Sequence, residues 1–198
     1  MLRISRQLHS GRVSEGRSDP RTDQDLVRAL NAGDASAFDG LYFRYRDWVV
    51  RLVHRFTGHD DDALDVLQDT FAYVFRKFPG FRLTASMTTF LYPVVKNLSI
   101  AARRKRQRMA GADETVLQNL PQRPGTAAQD PRPELAHVLS DLPEAQREVL
   151  LMRFVDDMTL AEIAAALNIP EGTVKSRLHN ALAALRHDER VKQYFEPL

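Results

Sequence analysis

From Leu41 onward, Leu41, Tyr45, Trp48, Val49, Leu52, Val53 and Phe56 recur at helical spacing, which predicts an amphipathic helix ending at Gly58. Leu64, Leu67, Phe71, Val74, Phe75 and Phe78 repeat the pattern until Pro79-Gly80 stops it. A third apolar set, Met87, Phe90, Leu91, Val94, Val95 and Leu98, leads straight into a basic run. No stretch alternates convincingly with period two, so this block is expected to be a small helical bundle. Further on, Pro143 stands where a helix should begin, because a missing N–H is harmless there. Val149, Leu150, Met152 and Phe154 supply that helix with an apolar face, and Asp156-Asp157 breaks it. Thr159 and Glu162 then form a capping box ahead of the stripe Leu160, Ile163, Ala164 and Leu167. Asn168-Ile169-Pro170 makes a turn, with Ile169 plugging between the helices. A second helix from about Glu171 should bury Val174, Leu178, Leu182 and Leu185. The expected fold is all-α: two small helical domains joined by a flexible linker, the C-terminal one a helix-turn-helix.

The boundaries follow from composition. Residues 1–22 are expected to form a disordered extension, 23–108 the first helical domain and 134–190 the second, with 191–198 a short tail. Residues 109–133 hold Pro121, Pro124, Pro131 and Pro133 and little apolar periodicity, the composition of a linker. As a flexible coil this segment would average roughly 25–30 Å end to end, and fully drawn out it would reach about 80 Å. Two modules so joined can grip DNA sites about two helical turns apart, each turn being roughly 34 Å.

The net charge of +2 hides an uneven distribution. Lys96, Arg103, Arg104, Lys105, Arg106 and Arg108 form a run without an acid, while Asp60, Asp61, Asp62, Asp65 and Asp69 cluster elsewhere. Opposed patches imply two different partners, one of them polyanionic. The chain has no cysteine, which excludes disulfides and thiolate metal sites and suits a reducing, cytoplasmic setting. No apolar run is long enough for membrane insertion. Asp65 and Asp69 lack a histidine partner or a glycine-bearing calcium loop, so no metal is expected there. His54 and His59 read as ordinary helix-end residues. No Gly-rich phosphate loop or nucleophile–base pairing suggests an enzyme, and no cofactor is expected.

Thr173, Lys175, Ser176, Arg177 and His179 fall largely off the buried stripe of the last helix, several near its N-terminus. In a helix-turn-helix such residues meet base edges in the major groove, while the preceding helix crosses the phosphate backbone. A cationic exposed face is more often simply solvated. The coincidence of capping box, turn and polar face in one register favours DNA.

The stretch LPEAQREVLLMRFVDDMTLAEIAAALNIPEGTVKSRLHNALAALR closely resembles the promoter-reading C-terminal domain of the extracytoplasmic-function sigma factors of bacterial RNA polymerase. DALDVLQDTFAYVFRKFPGF followed by TTFLYPVVKNLSIAARRKRQR resembles their N-terminal domain, which binds core polymerase and opens the promoter. The resemblance implies a sigma factor that recognises the minus-ten and minus-thirty-five elements, with core polymerase (beta-prime clamp helices and beta flap), promoter DNA and an anti-sigma factor as partners. By position, Asp65, Gln68, Asp69 and Phe71 match the motif that docks on the clamp helices. The stretch Phe81–Thr89, with Arg82 and Thr89, resembles the loop that captures an unstacked base. The helix after it, with Tyr92, Lys96, Asn97, Arg103 and Arg104, would read or hold the minus-ten element. Thr173, Lys175, Ser176, Arg177 and His179 would read the minus-thirty-five element.

Three positions depart from the family pattern. Phe90 stands where tryptophan is usual, Pro93 where a non-proline is, and Asn180 where a basic residue is common. A proline within a helix removes a hydrogen bond and costs about 3 kcal/mol, which predicts a later helix start or a kink near Thr89. The competing reading is a stand-alone helix-turn-helix regulator, which would bind duplex specifically without polymerase.

Overall fold

The computed structural model describes residues 19–59, 61–109, 133–188 and 190. The expected tail 191–198, and nearly all of the expected extension 1–22 and linker 109–133, lie outside them. The described residues form eight helices and no strand. The first, α1 (Asp23–Asn31), is opened by a capping box: Thr22 Oγ1 accepts from the Asp25 N–H, and the Asp25 carboxylate accepts from the Thr22 N–H. Its buried residues, Leu26, Val27 and Leu30, lie against α2 (Ser36–Thr57). Arg44 on α2 ties down the approach to α1, donating to the Asp19 and Arg21 carbonyls at 2.7 and 2.6 Å and to the Asp23 carboxylate. As expected, α2 ends at Gly58, whose φ of 70° is left-handed and suited to glycine.

The bundle is completed by α3 (Asp61–Phe75) and α4 (Met87–Met109), each packed on α2 and on the other. The buried stripe of α3 is Ala63, Val66, Leu67, Thr70, Phe71 and Val74, a phase that differs from the sequence expectation. Ala63 and Thr70 take core positions on the side of α3 that packs on α2 and α4. Leu64 and Phe75 are turned outward, 65% and 41% exposed. Phe71 meets Phe38 and Tyr42 edge-on, at 6.0 and 4.8 Å between ring centroids. α4 begins at Met87 and continues through Pro93 as one helix, so the late start is not seen. The cost is one missing donor to the Thr89 carbonyl.

The remaining helices are α5 (Pro133–Asp141), α6 (Glu144–Phe154), α7 (Leu160–Leu167) and α8 (Glu171–His187). Pro143 is the cap of α6, and Asp157 turns the chain with φ 53°. Val138, Leu142, Leu150, Ala181 and Leu185 form a small core between α5, α6 and α8. Ala181 replaces Leu182 as the deepest position there, and Phe154 lies 59% exposed rather than on the inner face of α6. The two domains pack against each other in this structure. Val149, Met152, Met158, Ile163 and Val174 belong to the same continuous apolar core as Leu52, Leu91 and Val95, with α4 packed on α7.

Candidate nucleic-acid and polymerase interfaces

The helix-turn-helix is built by local chemistry. Thr159 Oγ1 accepts from the Glu162 N–H at 3.2 Å and the Glu162 carboxylate accepts from the Thr159 N–H at 2.8 Å. After α7, Asn168 adopts the left-handed conformation (φ 52°, ψ 49°) that this residue tolerates better than most, and α8 starts after Pro170. Val174, Ala181 and Leu185 are buried, leaving Lys175, Ser176 and His179 exposed and Thr173 and Arg177 half-buried. Lys175 Nζ lies 2.9 Å from the Glu171 carboxylate one turn back, an exposed pair easily exchanged for a phosphate.

The first helical block places its expected site residues on three different surfaces. Asp65, Gln68 and Asp69 are exposed on α3, with Leu64 beside them. Phe71 is 4% exposed and fills the core, so it supports that face from within and cannot touch a partner. The spacing of Leu64 fits the inner stripe, so the sequence pattern assigns it inward although it faces out. Asn97, Arg103 and Arg104 are exposed along α4, and Arg82 in the preceding loop. Arg106 is already engaged, paired with Asp62 of α3, so the basic run is not uniformly available to phosphates.

Thr89, Tyr92 and Lys96 are drawn inward instead. Thr89 is 7% exposed, its N–H donating to Ser86 Oγ at 3.3 Å as α4 begins. Tyr92 is 1% exposed and donates its hydroxyl to the Glu148 carboxylate at 2.8 Å, across the seam between the helical blocks. Lys96 pairs with the same carboxylate. Beside them Arg55 forms a two-pronged pair with Asp156, at 2.7 and 3.0 Å, with the Asp156 side chain only 4% exposed. Burial, and then the Glu148 carboxylate, hold the Tyr92 phenol well above its ordinary range. Residues 101 apart in sequence thus meet in a polar pair across the seam.

Two families match the chain: Sigma-70 region 2 over residues 41–109 and Sigma-70 region 4 over residues 138–187. The chain is 30% identical over 182 residues to the ECF RNA polymerase sigma-E factor of Escherichia coli K12, covering 85% of this chain and 94% of that one. The chain belongs to the ECF sigma factors. It is 28% identical over 177 residues to the ECF sigma factor SigW of Bacillus subtilis, covering 83% of this chain and 95% of that one. Among solved structures, the fold is shared with the sigma factor RpoE of Bartonella quintana in complex with the anti-sigma factor NepR: TM-score 0.62, 21% identity, 80% of this chain and 98% of that one. It is also shared with CnrH in complex with the cytosolic domain of CnrY: TM-score 0.59, 22% identity, 82% and 93%. This ECF sigma factor therefore serves transcription initiation, and the region 4 match contains the whole helix-turn-helix.

The Glu162 carboxyl is held below its ordinary value of 4.5, first by the influence of the Ser86 hydroxyl and then by the Thr159 cap. A depressed carboxylate stabilises the fold at neutral pH, and that contribution is lost as pH falls through the carboxylate range. Glu162→Gln is expected to lower the urea midpoint at neutral pH, with wild type and variant converging in acid. Parallel loss of stability down to acid pH would show that the carboxylate carries no such linkage.

Proposed function

We propose that this sigma factor docks on core RNA polymerase through the outer face of α3, with Asp65, Gln68 and Asp69 presented to the beta-prime clamp helices. Region 4 would meet the beta flap and read the minus-thirty-five element through Thr173, Lys175, Ser176, Arg177 and His179. The loop Phe81–Thr89, with Arg82, would capture an unstacked base. Asn97, Arg103 and Arg104 would hold the minus-ten strand, joined by Tyr92 and Lys96 once the seam opens. The observation that carries this reading is a capped helix-turn-helix with a polar outer face, in one chain with a second helical module that exposes acids on α3 and bases on α4.

With Tyr92 and Lys96 held by Glu148, the described arrangement is a closed one. Promoter engagement requires the halves to part, and residues 109–133 are long enough to permit it. The chain lends specificity rather than catalysis and works in the cytoplasm; among the described residues no helix is long and apolar enough to cross a membrane. An anti-sigma factor, such as NepR in its complex with RpoE, would stabilise a state that cannot engage the promoter. Run-off transcription with purified core enzyme on genomic fragments tests the proposal; promoter-specific transcripts are expected only when the chain is added. Specific duplex binding without polymerase, and no transcript with it, would favour the stand-alone regulator.

Asp69→Lys is expected to weaken core association by on the order of tenfold. An exposed charge pair is worth up to about 1 kcal/mol, and reversal turns attraction into repulsion. Competition binding against core enzyme measures it, and unchanged affinity would refute docking through this face.

A further inference from the structure

The loop between α3 and α4 keeps its first N–H groups on α3, Phe78 donating to the Phe75 carbonyl. Beyond that, one residue far away in sequence binds its backbone. Asn31, the last residue of α1, accepts from the Gly80 N–H at 2.6 Å through Oδ1 and donates to the Phe81 carbonyl at 2.8 Å through Nδ2. A side-chain amide carries a donor and an acceptor in one plane, as a peptide group does, and here it pairs with two consecutive residues much as a neighbouring strand would. Gly80, at φ 104°, holds the left-handed backbone within this clip.

Asn31 is itself firmly placed. It follows Leu30, which is 7% exposed, and the chain beyond it folds back through Gly33 N–H to the Leu30 carbonyl and Asp34 N–H to the Ala29 carbonyl. On the loop side, Phe81 is packed between Phe78 and Phe90, with centroids at 5.4 and 4.7 Å, and Phe90 stacks on Tyr73. The base of the loop is thus held by rings on one side and by one amide on the other. Arg82, Thr84 and Ala85 remain exposed beyond it. Asn31 lies before residue 41, outside the stretch that matches region 2.

We propose that Asn31 is a positioning residue for the base-capturing loop, setting its shape before DNA arrives and touching no nucleotide itself. This rests on the reading of Phe81–Thr89 as the capture loop. A loop fixed in its bound shape loses less conformational freedom on binding, so releasing the clip weakens capture without removing any contact to DNA.

The test uses holoenzyme assembled from the full chain and core polymerase, with a single-stranded minus-ten oligonucleotide carrying a fluorescent base analogue at the captured position. Asn31→Ala is expected to weaken binding of this strand roughly 5- to 20-fold, as two hydrogen bonds are lost. Affinity for core enzyme and binding of an upstream duplex are expected to stay unchanged. Asn31→Asp keeps the size and the acceptor for Gly80 but loses the donor to Phe81; a smaller loss in the same assay is expected. It serves as the reporter should the alanine variant fold poorly. Arg82→Ala, a change in the loop itself, runs beside them. If Arg82→Ala weakens strand binding and neither Asn31 variant does, the positioning role is overturned while the loop reading stands. If none of the three weakens it, the loop reading falls and the proposal with it. Equal losses in strand binding, core affinity and duplex binding would overturn the proposal by showing a general structural role.

Discussion

Asp156→Ala is expected to open the molecule rather than unfold it. The substitution leaves the Arg55 guanidinium, 19% exposed, without the carboxylate that faces it across the seam. Removing one partner of a buried pair costs about 3–5 kcal/mol when the orphaned charge cannot reach water. Here it can, because Arg55 is rehydrated if region 4 moves away from α2 and α4. The cost therefore falls on the closed arrangement and not on either helical block. A shift of about 3 kcal/mol would change the ratio of closed to open molecules by more than 100-fold. The chain has no cysteine of its own, so labels at Asp47→Cys and Ala184→Cys can report the separation directly. The inter-label distance is expected to lengthen and broaden in Asp156→Ala while helical content stays constant. Adding Arg55→Ala should restore part of the closed population, since it removes the orphaned charge. An unchanged distance distribution would show that apolar packing alone keeps the seam shut. Transcription should respond in the same direction, the opened variant needing less protein for half-maximal run-off synthesis.

Arg177→Ala is expected to reduce use of promoters with the correct upstream element about 5- to 150-fold, the span equivalent to the 1–3 kcal/mol of one bidentate guanine contact. Arg177 lies on α8, away from the deepest positions Val174, Ala181 and Leu185. Its loss should therefore leave melting temperature and core affinity nearly unchanged. Lys175→Ala offers the contrast: a smaller, sequence-independent loss and a shallower salt dependence, because a phosphate contact positions without specifying. Transcription from matched and mismatched upstream elements separates the two. If Arg177→Ala lowers both equally, the residue does not read bases.

Much of the fold was legible because it is encoded locally. The cap of Thr159 and Glu162, the turn at Asn168-Ile169-Pro170 and the stop at Gly58 depend on residues only a few positions apart, and each forms as its chemistry dictates. Periodicity located the helices but not always their rotation. Leu64, Phe75 and Phe154 satisfy helical spacing as well as their buried neighbours do, yet face outward. Small residues, Ala63, Thr70 and Ala181, occupy core positions, and hydrophobicity alone undervalues them. Of the candidate site residues, those on the outer faces of α3 and α8 could be read as outward-facing from the sequence, because a polar residue off an apolar stripe faces water by default. Tyr92 and Lys96 could not be placed that way. Their polar ends face a carboxylate 56 and 52 positions further along the chain, in the other half of the molecule.

The sequence by itself therefore determined an all-helical chain with a capped helix-turn-helix, an acidic helix, a basic helix and the family these make together. Tertiary structure alone decided that α4 lies on α7 and that Arg55 and Asp156, Tyr92 and Glu148 meet. It also decided that Asn31 holds the loop at Gly80 and Phe81. The physical reason is range. Caps, turns and amphipathic stripes are settled by neighbours within a turn or two, whereas a buried ion pair or a side-chain clip exists only once packing has brought distant groups within hydrogen-bonding distance and excluded the water that would otherwise serve them.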